Sequence, residues 1–259
     1  MEIKYSGFKI NICTDNEKEL SVINIKNLKK SFDNKLVLNN INLSLFKGEN
    51  LVILGKTGMG KSVLIKCIVG LIEPDEGNIM VLNTDLSLLK QRELDKLRKK
   101  MGFLFQNAAL YDSMTVRENV AFPLRNLIIS KEEKEKKVLE VLESVGLLES
   151  INKMPSELSG GMKKRLGLAR TLVLKPEIIL YDEPTTGLDP VTSKEISELI
   201  LKMQSTYNIT SIIITHDIAC ARITSNRIII LQKGELIAEG NYNELKNHSS
   251  VLVNAFFKT

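Results

Sequence analysis

The run "NLVIL" leads into "GKTGMGKS" (Gly55 to Ser62), which opens "KSVLIKCIVGL" (Lys61 to Leu71), apolar on most sides. A short apolar strand, a glycine loop and a buried helix in that order restrict the chain to few architectures, because the loop wraps an anion only when strand and helix hold its two ends. The spacing G-x-x-x-x-G-K-[ST] turns backbone N–H groups inward onto phosphate oxygens. Lys61 can then reach the β and γ phosphates, and the Ser62 hydroxyl can ligate Mg²⁺. Gly55, Lys56, Thr57, Gly58, Met59, Gly60, Lys61 and Ser62 are therefore the candidate nucleotide-binding residues, with Val63 continuing into the helix.

Short β-rich runs flank this loop. "VINI" and "VLNNINLSL" precede it, "EIILYDEP" (Glu177 to Pro184) and "TSIIITHD" (Thr210 to Asp217) follow, and "NRIIILQKGELIAEG" reads as a hairpin turning at Lys233-Gly234. Between them, from about Leu86 to Leu174, the pattern is helical. "LSLLKQRELDKLRKK" is one expected helix, and "SKEEKEKKVLEVLESVGLLES" is another, with a capping box from Ser130 and Glu133. A last helix is expected within Tyr242 to Thr259. Buried strands alternating with helices predict an α/β core with a largely parallel sheet, N-terminal β strands and an inserted helical subdomain at roughly residues 107–174. Residues 1–21 precede the pattern as an N-terminal extension, and residues 22–259 form the expected domain.

Asp182 and Glu183 end an apolar strand, where ligands bind in open α/β sheets. Asp182 would hold magnesium through its water shell, and Glu183 would polarise an attacking water. His216 ends the next apolar strand and could donate to a γ-phosphate or orient that water. His248 has no such company and reads as a surface residue.

A second glycine segment stands in "ELSGGMKKR" (Glu157 to Arg165). Ser159, Gly160 and Gly161 start a helix whose free N–H groups make another anion site. Two such sites at opposite ends of a domain do not fit one triphosphate, but a head-to-tail pair of copies brings the Gly55 loop of one onto Ser159-Gly160-Gly161 of the other.

Composition narrows the remaining classes. With 43% hydrophobic and 26% charged residues and no Trp, the chain reads as a globular domain, neither disordered nor fibrous. Its net charge of +5 is spread through mixed runs such as "KEEKEKK", a solvated helix face rather than a basic arm; so mild a field favours an anionic ligand or the cytoplasmic face of a bilayer and selects neither, and no nucleic-acid partner is expected. Cys13, Cys67 and Cys220 are far apart, which argues against disulfides and zinc and fits a reducing compartment. The N-terminus lacks a secretory pattern, and no uncharged apolar run reaches the roughly 18 residues of a membrane span. Work at a membrane would need a partner that supplies the span.

Taken in order, these motifs resemble the nucleotide-binding subunit of ATP-binding-cassette (ABC) transporters, from about Val22 onward. The resemblance adds Phe32 in "KKSF" as the ring stacking the adenine, Gln106 in "GFLFQ" as the glutamine loop counted with Lys61, Glu183 and His216 as catalytic, and Asp189 in "GLDP". It implies ATP and Mg²⁺ as ligands, hydrolysis coupled to transport, and an ATP sandwich of two antiparallel copies. Met162 stands where the common signature has glutamine, and Phe32 where tyrosine is commoner.

"FQNAALYDSMTVRENVAFPLR" (Phe105 to Arg125), the signature with Met162, and the loop with Met59 look like the ATPase subunit of Mla-type (MlaF/Mkl-like) transporters. That likeness implies phospholipid trafficking between inner and outer membranes, on the cytoplasmic side of the inner membrane, with a multispan permease and an MCE-domain lipid-binding protein. A permease helix would dock over Gln106 to Arg125, where Phe103, Leu110, Tyr111 and Met114 are candidate groove residues. The alternatives are a methionine-type amino-acid importer, whose ATPases often add a C-terminal regulatory domain, and a soluble iron–sulfur assembly ATPase.

Overall fold

The computed structural model describes residues 21–257, so Cys13 and all of the expected N-terminal extension except Ser21, which already belongs to the first strand, lie outside the described residues. Two sheets organise it. The first is antiparallel, in the order β2-β1-β4-β5, built from β1 (Ser21–Phe32), β2 (Lys35–Phe46), β4 (Glu76–Val81) and β5 (Thr84–Asp85). The second has the order β10-β9-β3-β8-β7-β6, from β3 (Asn50–Leu54), β6 (Met101–Leu104), β7 (Ile178–Asp182), β8 (Thr210–Thr215), β9 (Arg227–Gln232) and β10 (Glu235–Gly240). All its neighbours pair in parallel except β10 with β9. The β9–β10 hairpin turns at Lys233-Gly234, both at positive φ, as a two-residue connection requires.

The parallel strands read as unbroken apolar runs because each buries both faces. Along β3, Val52 and Leu54 enter one cluster while Leu51 and Ile53 enter the other; in β7, Ile179 and Tyr181 oppose Ile178 and Leu180. On the Leu51 face lie the antiparallel sheet and helix α1 (Lys61–Ile68). The Val52 face is covered by the helices α3 (Val116–Ala121), α4 (Lys131–Ser144), α5 (Gly160–Leu172), α6 (Pro190–Tyr207) and α7 (Ile218–Thr224), with α8 (Tyr242–Lys246) and α9 (Val251–Asn254) at the end.

Local chemistry adjusts several of the expected boundaries. Helix α1 stops at Ile68 rather than Leu71, because Leu71 N donates to Lys66 O at 2.8 Å and Gly70 N to Cys67 O at 3.0 Å, closing a Schellman-type end. "LSLLKQRELDKLRKK" is not one helix. Asp85 caps a short 3₁₀ turn at Leu86–Leu88, and α2 (Gln91–Arg98) begins anew after extended Leu89 and Lys90. Ser130 caps α4 by accepting from Glu133 N at 3.1 Å, but Glu133 does not return the bond; its side chain faces Lys137 instead. The box at this position is therefore half formed. The C-terminal helix is two short ones, joined where His248 Nδ1 accepts from Ser250 N at 3.0 Å, so His248 is a half-buried joint rather than a free surface group.

Arg227, the first residue of β9, fastens the two sheets. Its guanidinium donates to Glu49 Oε1 at 2.7 Å and Oε2 at 2.9 Å, to Ser44 O of β2 at 2.6 Å, and pairs with Glu239 of β10. Burial alone would lower the guanidinium pKa, but the bonds and charges of Glu49 and Glu239 outweigh it and raise it. Removing one partner of such a pair leaves a desolvated charge behind, a larger loss than the pair's own net worth. Arg227→Met, which strands Glu49, should therefore lower the unfolding free energy by about 3 to 5 kcal/mol, read as a drop in the urea midpoint at unchanged slope.

Candidate active site

Register places the chemistry. Leu54 pairs with Thr215 and Asp182 with Ile214, so the residues leaving β3, β7 and β8 emerge in one row at the carboxyl edge of the sheet. Gly55 N donates to Thr215 O at 3.3 Å and Glu183 N to Ile214 O at 2.9 Å, extending the pairing by one residue on each side. The Gly55 loop, Glu183 and His216 are thus neighbours because three apolar strands align.

The loop itself needs glycine where it meets β2. Gly60 has φ 96°, and a Cβ there would lie 2.9 Å from Val37 O and from the Leu38 side chain. Lys61, buried at the start of α1, sends Nζ back to Gly55 O at 2.6 Å, Lys56 O at 3.1 Å and Glu183 Oε1 at 3.2 Å. Met59 Sδ accepts from Lys233 N at 3.3 Å, linking the loop to the β9–β10 turn. Phe32, at the end of β1, is exposed, with Lys30 Nζ 5.4 Å from its ring centroid. An exposed ring face is what base stacking needs.

Glu183 is the node of the cluster. Oε2 lies 2.8 Å from His216 Nδ1 and also accepts from Thr186 Oγ1 at 3.3 Å, while Oε1 faces Lys61. Its backbone sits at φ 51°, a left-handed conformation that costs a non-glycine residue about 1 to 3 kcal/mol. The buried Lys61–Glu183 pair is a poor source of stability too, since an apolar replacement of such a pair is commonly neutral or favourable by about 1 to 4 kcal/mol. Strain and desolvated charge at one residue point to chemistry rather than to folding.

Next to it, the Ser62 hydroxyl donates to Asp182 Oδ1 at 3.3 Å. Burial pushes the Asp182 carboxyl above its ordinary value, with the charge of Glu183 adding to the effect and the bond from Ser62 opposing it. A hydroxyl and a carboxylate in contact are the hard oxygen donors that Mg²⁺ takes, and the described residues contain no cluster of three or more His, Cys, Asp or Glu that would cage a metal fully. Mg²⁺ held through one hydroxyl and one carboxylate would keep most of its waters and share the rest of its shell with a phosphate.

Ser159 caps α5, accepting from Met162 N at 3.2 Å. Ser159 and Gly160 are exposed, and among the described residues no hydrogen bond or ion pair joins this segment to the Gly55 loop. Within one chain the two glycine segments remain separate. Gln106 follows β6 with an exposed side chain, and its backbone oxygen accepts from Lys164 Nζ. Of the four groove candidates, Phe103 packs against the cluster under the antiparallel sheet and Leu110 against the helical one, so they face opposite sides of the sheet. Tyr111 is exposed and packs on Phe122 at 4.4 Å between centroids; Met114 is half-buried.

Sequence reasoning missed Lys164, Thr185, Thr186 and Asp217. Asp217 caps α7 through Ala219 N and Cys220 N and accepts from Thr185 Oγ1 at 3.0 Å. With His216 and Thr186 these line a cavity of about 540 Å³ beside Glu183. The signal for Lys164 was its helical spacing from Gly161 and Leu168, which puts it on the buried face of α5.

The family profile described as "ABC transporter" matches residues 38–186. The chain belongs to the ABC transporter family. The cassette is 42% identical to the methionine import ATP-binding protein MetN of Campylobacter jejuni, over 86% of this chain and 72% of that protein. It is 38% identical to the intermembrane phospholipid transport system ATP-binding protein MlaF of Haemophilus influenzae, over 92% of this chain and 90% of that one. Among solved structures, cbiO1 from Clostridium perfringens superposes with a TM-score of 0.83 at 30% identity, covering 92% of this chain and 96% of its own. The dimeric cassette MJ0796 bound to ADP and Pi gives 0.76 at 36%, covering 85% and 98%. The chain is thus an ATP-binding, ATP-hydrolysing subunit that takes ATP with Mg²⁺.

For Asp182 the sign of the pH effect follows from its raised pKa. The folded carboxyl holds its proton to a higher pH than the unfolded one, so it contributes stability below the unfolded value that is lost as pH rises through the folded value. A metal ion competes with that proton. The cassette's affinity for Mg²⁺·ATP should weaken on acidification at a pH above the ordinary 3.8, and Asp182→Asn should both weaken Mg²⁺·ATP binding and flatten its pH dependence, as read by calorimetric titration.

Proposed function

We propose that this cassette hydrolyses ATP between two head-to-tail copies and drives phospholipid transport through a multispan permease. The observation that carries the hydrolytic part is the Lys61–Glu183–His216 cluster at the carboxyl edge of the sheet. In this reading the Gly55–Ser62 backbone cradles the phosphates, and Lys61 leaves its loop carbonyls for the β and γ oxygens. Glu183 orients and polarises the attacking water, and His216, held through Nδ1, faces the transferred group. Ser62 and Asp182 would hold Mg²⁺, which supplies charge neutralisation on the phosphates when bound. Phe32 stacks the adenine, Gln106 reports the γ-phosphate to the membrane side, and Ser159, Gly160 and Gly161 of the second copy close the site. MJ0796, a dimer with ADP and Pi, supports the pairing of copies.

Phospholipid as cargo rests on Met162 in the signature, the Phe105–Arg125 segment and the likeness to MlaF of Haemophilus influenzae. The likeness to MetN of Campylobacter jejuni supports a methionine importer as the second reading. Docking of a permease helix is supported by Phe105, Tyr111, Leu127 and Ile128, large apolar side chains exposed on one stretch of chain beside Gln106. The work would be done peripherally, on the cytoplasmic side of the inner membrane; among the described residues no helix is long and apolar enough to cross one.

Tagging the chain, extracting it gently from native membranes and identifying co-purifying proteins and lipids by mass spectrometry separates the readings. Phospholipid transport predicts a multispan permease, an MCE-domain protein and enriched phospholipid. A permease with a solute-binding protein and no enriched lipid would overturn it in favour of the importer.

A further inference from the structure

Lys164 is a buried cation that the roles above do not use. Its side chain is among the few charged ones enclosed in the core, and its Nζ donates to Gln106 O and, at 3.4 Å, to Glu183 O. Both acceptors are backbone carbonyls of residues next to the phosphate site, and they come from different strand ends, β6 and β7. The third element is α5 itself, whose first turn is Ser159-Gly160-Gly161.

Each contact meets a need of the residue it touches. Glu183 is held at φ 51°, where a non-glycine backbone persists only if its surroundings fix it. Its N–H is fixed by Ile214 O at 2.9 Å, and Lys164 fixes its carbonyl from the other side. The chain beyond Gln106 is strained as well, with Ala108 at φ 56° and Ala109 at φ 45°. There α5 holds it twice, through Lys164 on Gln106 O and through Arg170 on Ala109 O at 2.5 Å. Burial pushes the Lys164 ammonium pKa down, while the charges of Glu183 and Asp182 pull it back up. A neutral apolar side chain would avoid that desolvation, so the cation is not explained by packing.

We propose that Lys164 is a positioning residue for ATP hydrolysis, a strut from the signature helix that sets the Glu183 backbone and ties it to the Gln106 loop. This rests on the reading of Glu183 as the water-orienting group. Through the strut, a displacement of α5 when a second copy closes on its N-terminus reaches Glu183 and Gln106 together.

The test is steady-state ATP hydrolysis by the full chain purified with its membrane partner. Lys164→Met should lower kcat about 10- to 100-fold, as a displaced catalytic group does, with KM for ATP within about threefold of the parent. Lys164→Arg, which keeps a donor of similar reach, should recover most of that loss. In a Glu183→Gln background, where the water is no longer polarised, adding Lys164→Met should cost less than about twofold more.

Unchanged kcat in Lys164→Met, or a loss that multiplies in full in the Glu183→Gln background, overturns the proposal. If Glu183→Gln itself leaves hydrolysis intact, the reading of Glu183 falls and the strut with it; if Glu183→Gln stops turnover and Lys164→Met does not slow it, the strut alone falls. Should Lys164→Met fail to fold, Lys164→Arg and Lys164→Gln decide instead. Turnover ranking parent, Arg, Gln at constant ATP affinity supports the strut, and equal turnover in all three overturns it.

Discussion

Strands β3, β8 and β7 are apolar on both faces, so the polar groups that end them have only the carboxyl edge of the sheet to occupy. One register, Leu54 beside Thr215 and Asp182 beside Ile214, then decides the rest. It places the Gly55 loop, the acidic pair and His216 in a row. A slip of one residue in β7 would turn Ile179 and Tyr181 toward the wrong cluster, and the core on both faces resists that.

Around that row the site departs from what stability alone would select. Glu183 carries a strained backbone, Lys61 and Glu183 are desolvated together, and burial raises Asp182. The strained backbone and the desolvated pair each cost on the order of a kcal/mol or more, and the two apolar clusters offset them. The Arg227 fastener serves the same end from a distance, since it holds β2, which walls the loop at Gly60, against the parallel sheet.

Much of this was legible in the chain because the strong signals are local. The glycine loop, the strand-end acids, His216 and the Lys233-Gly234 turn all announce themselves within eight residues, and each stands on the element expected for it. What was not legible depended on neighbours distant in sequence. Helical spacing puts Lys164 on the buried face of α5, but its partners, the backbone oxygens of Gln106 and Glu183, reach it from two other strand ends distant in sequence. Phe103 and Leu110 looked like one groove, but an intervening strand end sends them to opposite faces. Leu89 and Lys90 interrupt the expected helix, with Asp85 capping a separate turn before them and the Glu93 side chain accepting from Lys90 N at the start of α2.

In the proposed head-to-tail pair, a complete site takes one glycine segment from each of two copies. The most direct measurement mixes full chains carrying Lys56→Cys with full chains carrying Ser159→Cys, both in a Glu183→Gln background that retains bound ATP, and reads disulfide formation between chains. A cross-linked pair should form only in the mixture and only with ATP. Cross-linking that ignores ATP, or that forms within a single chain carrying both cysteines at any dilution, would contradict it.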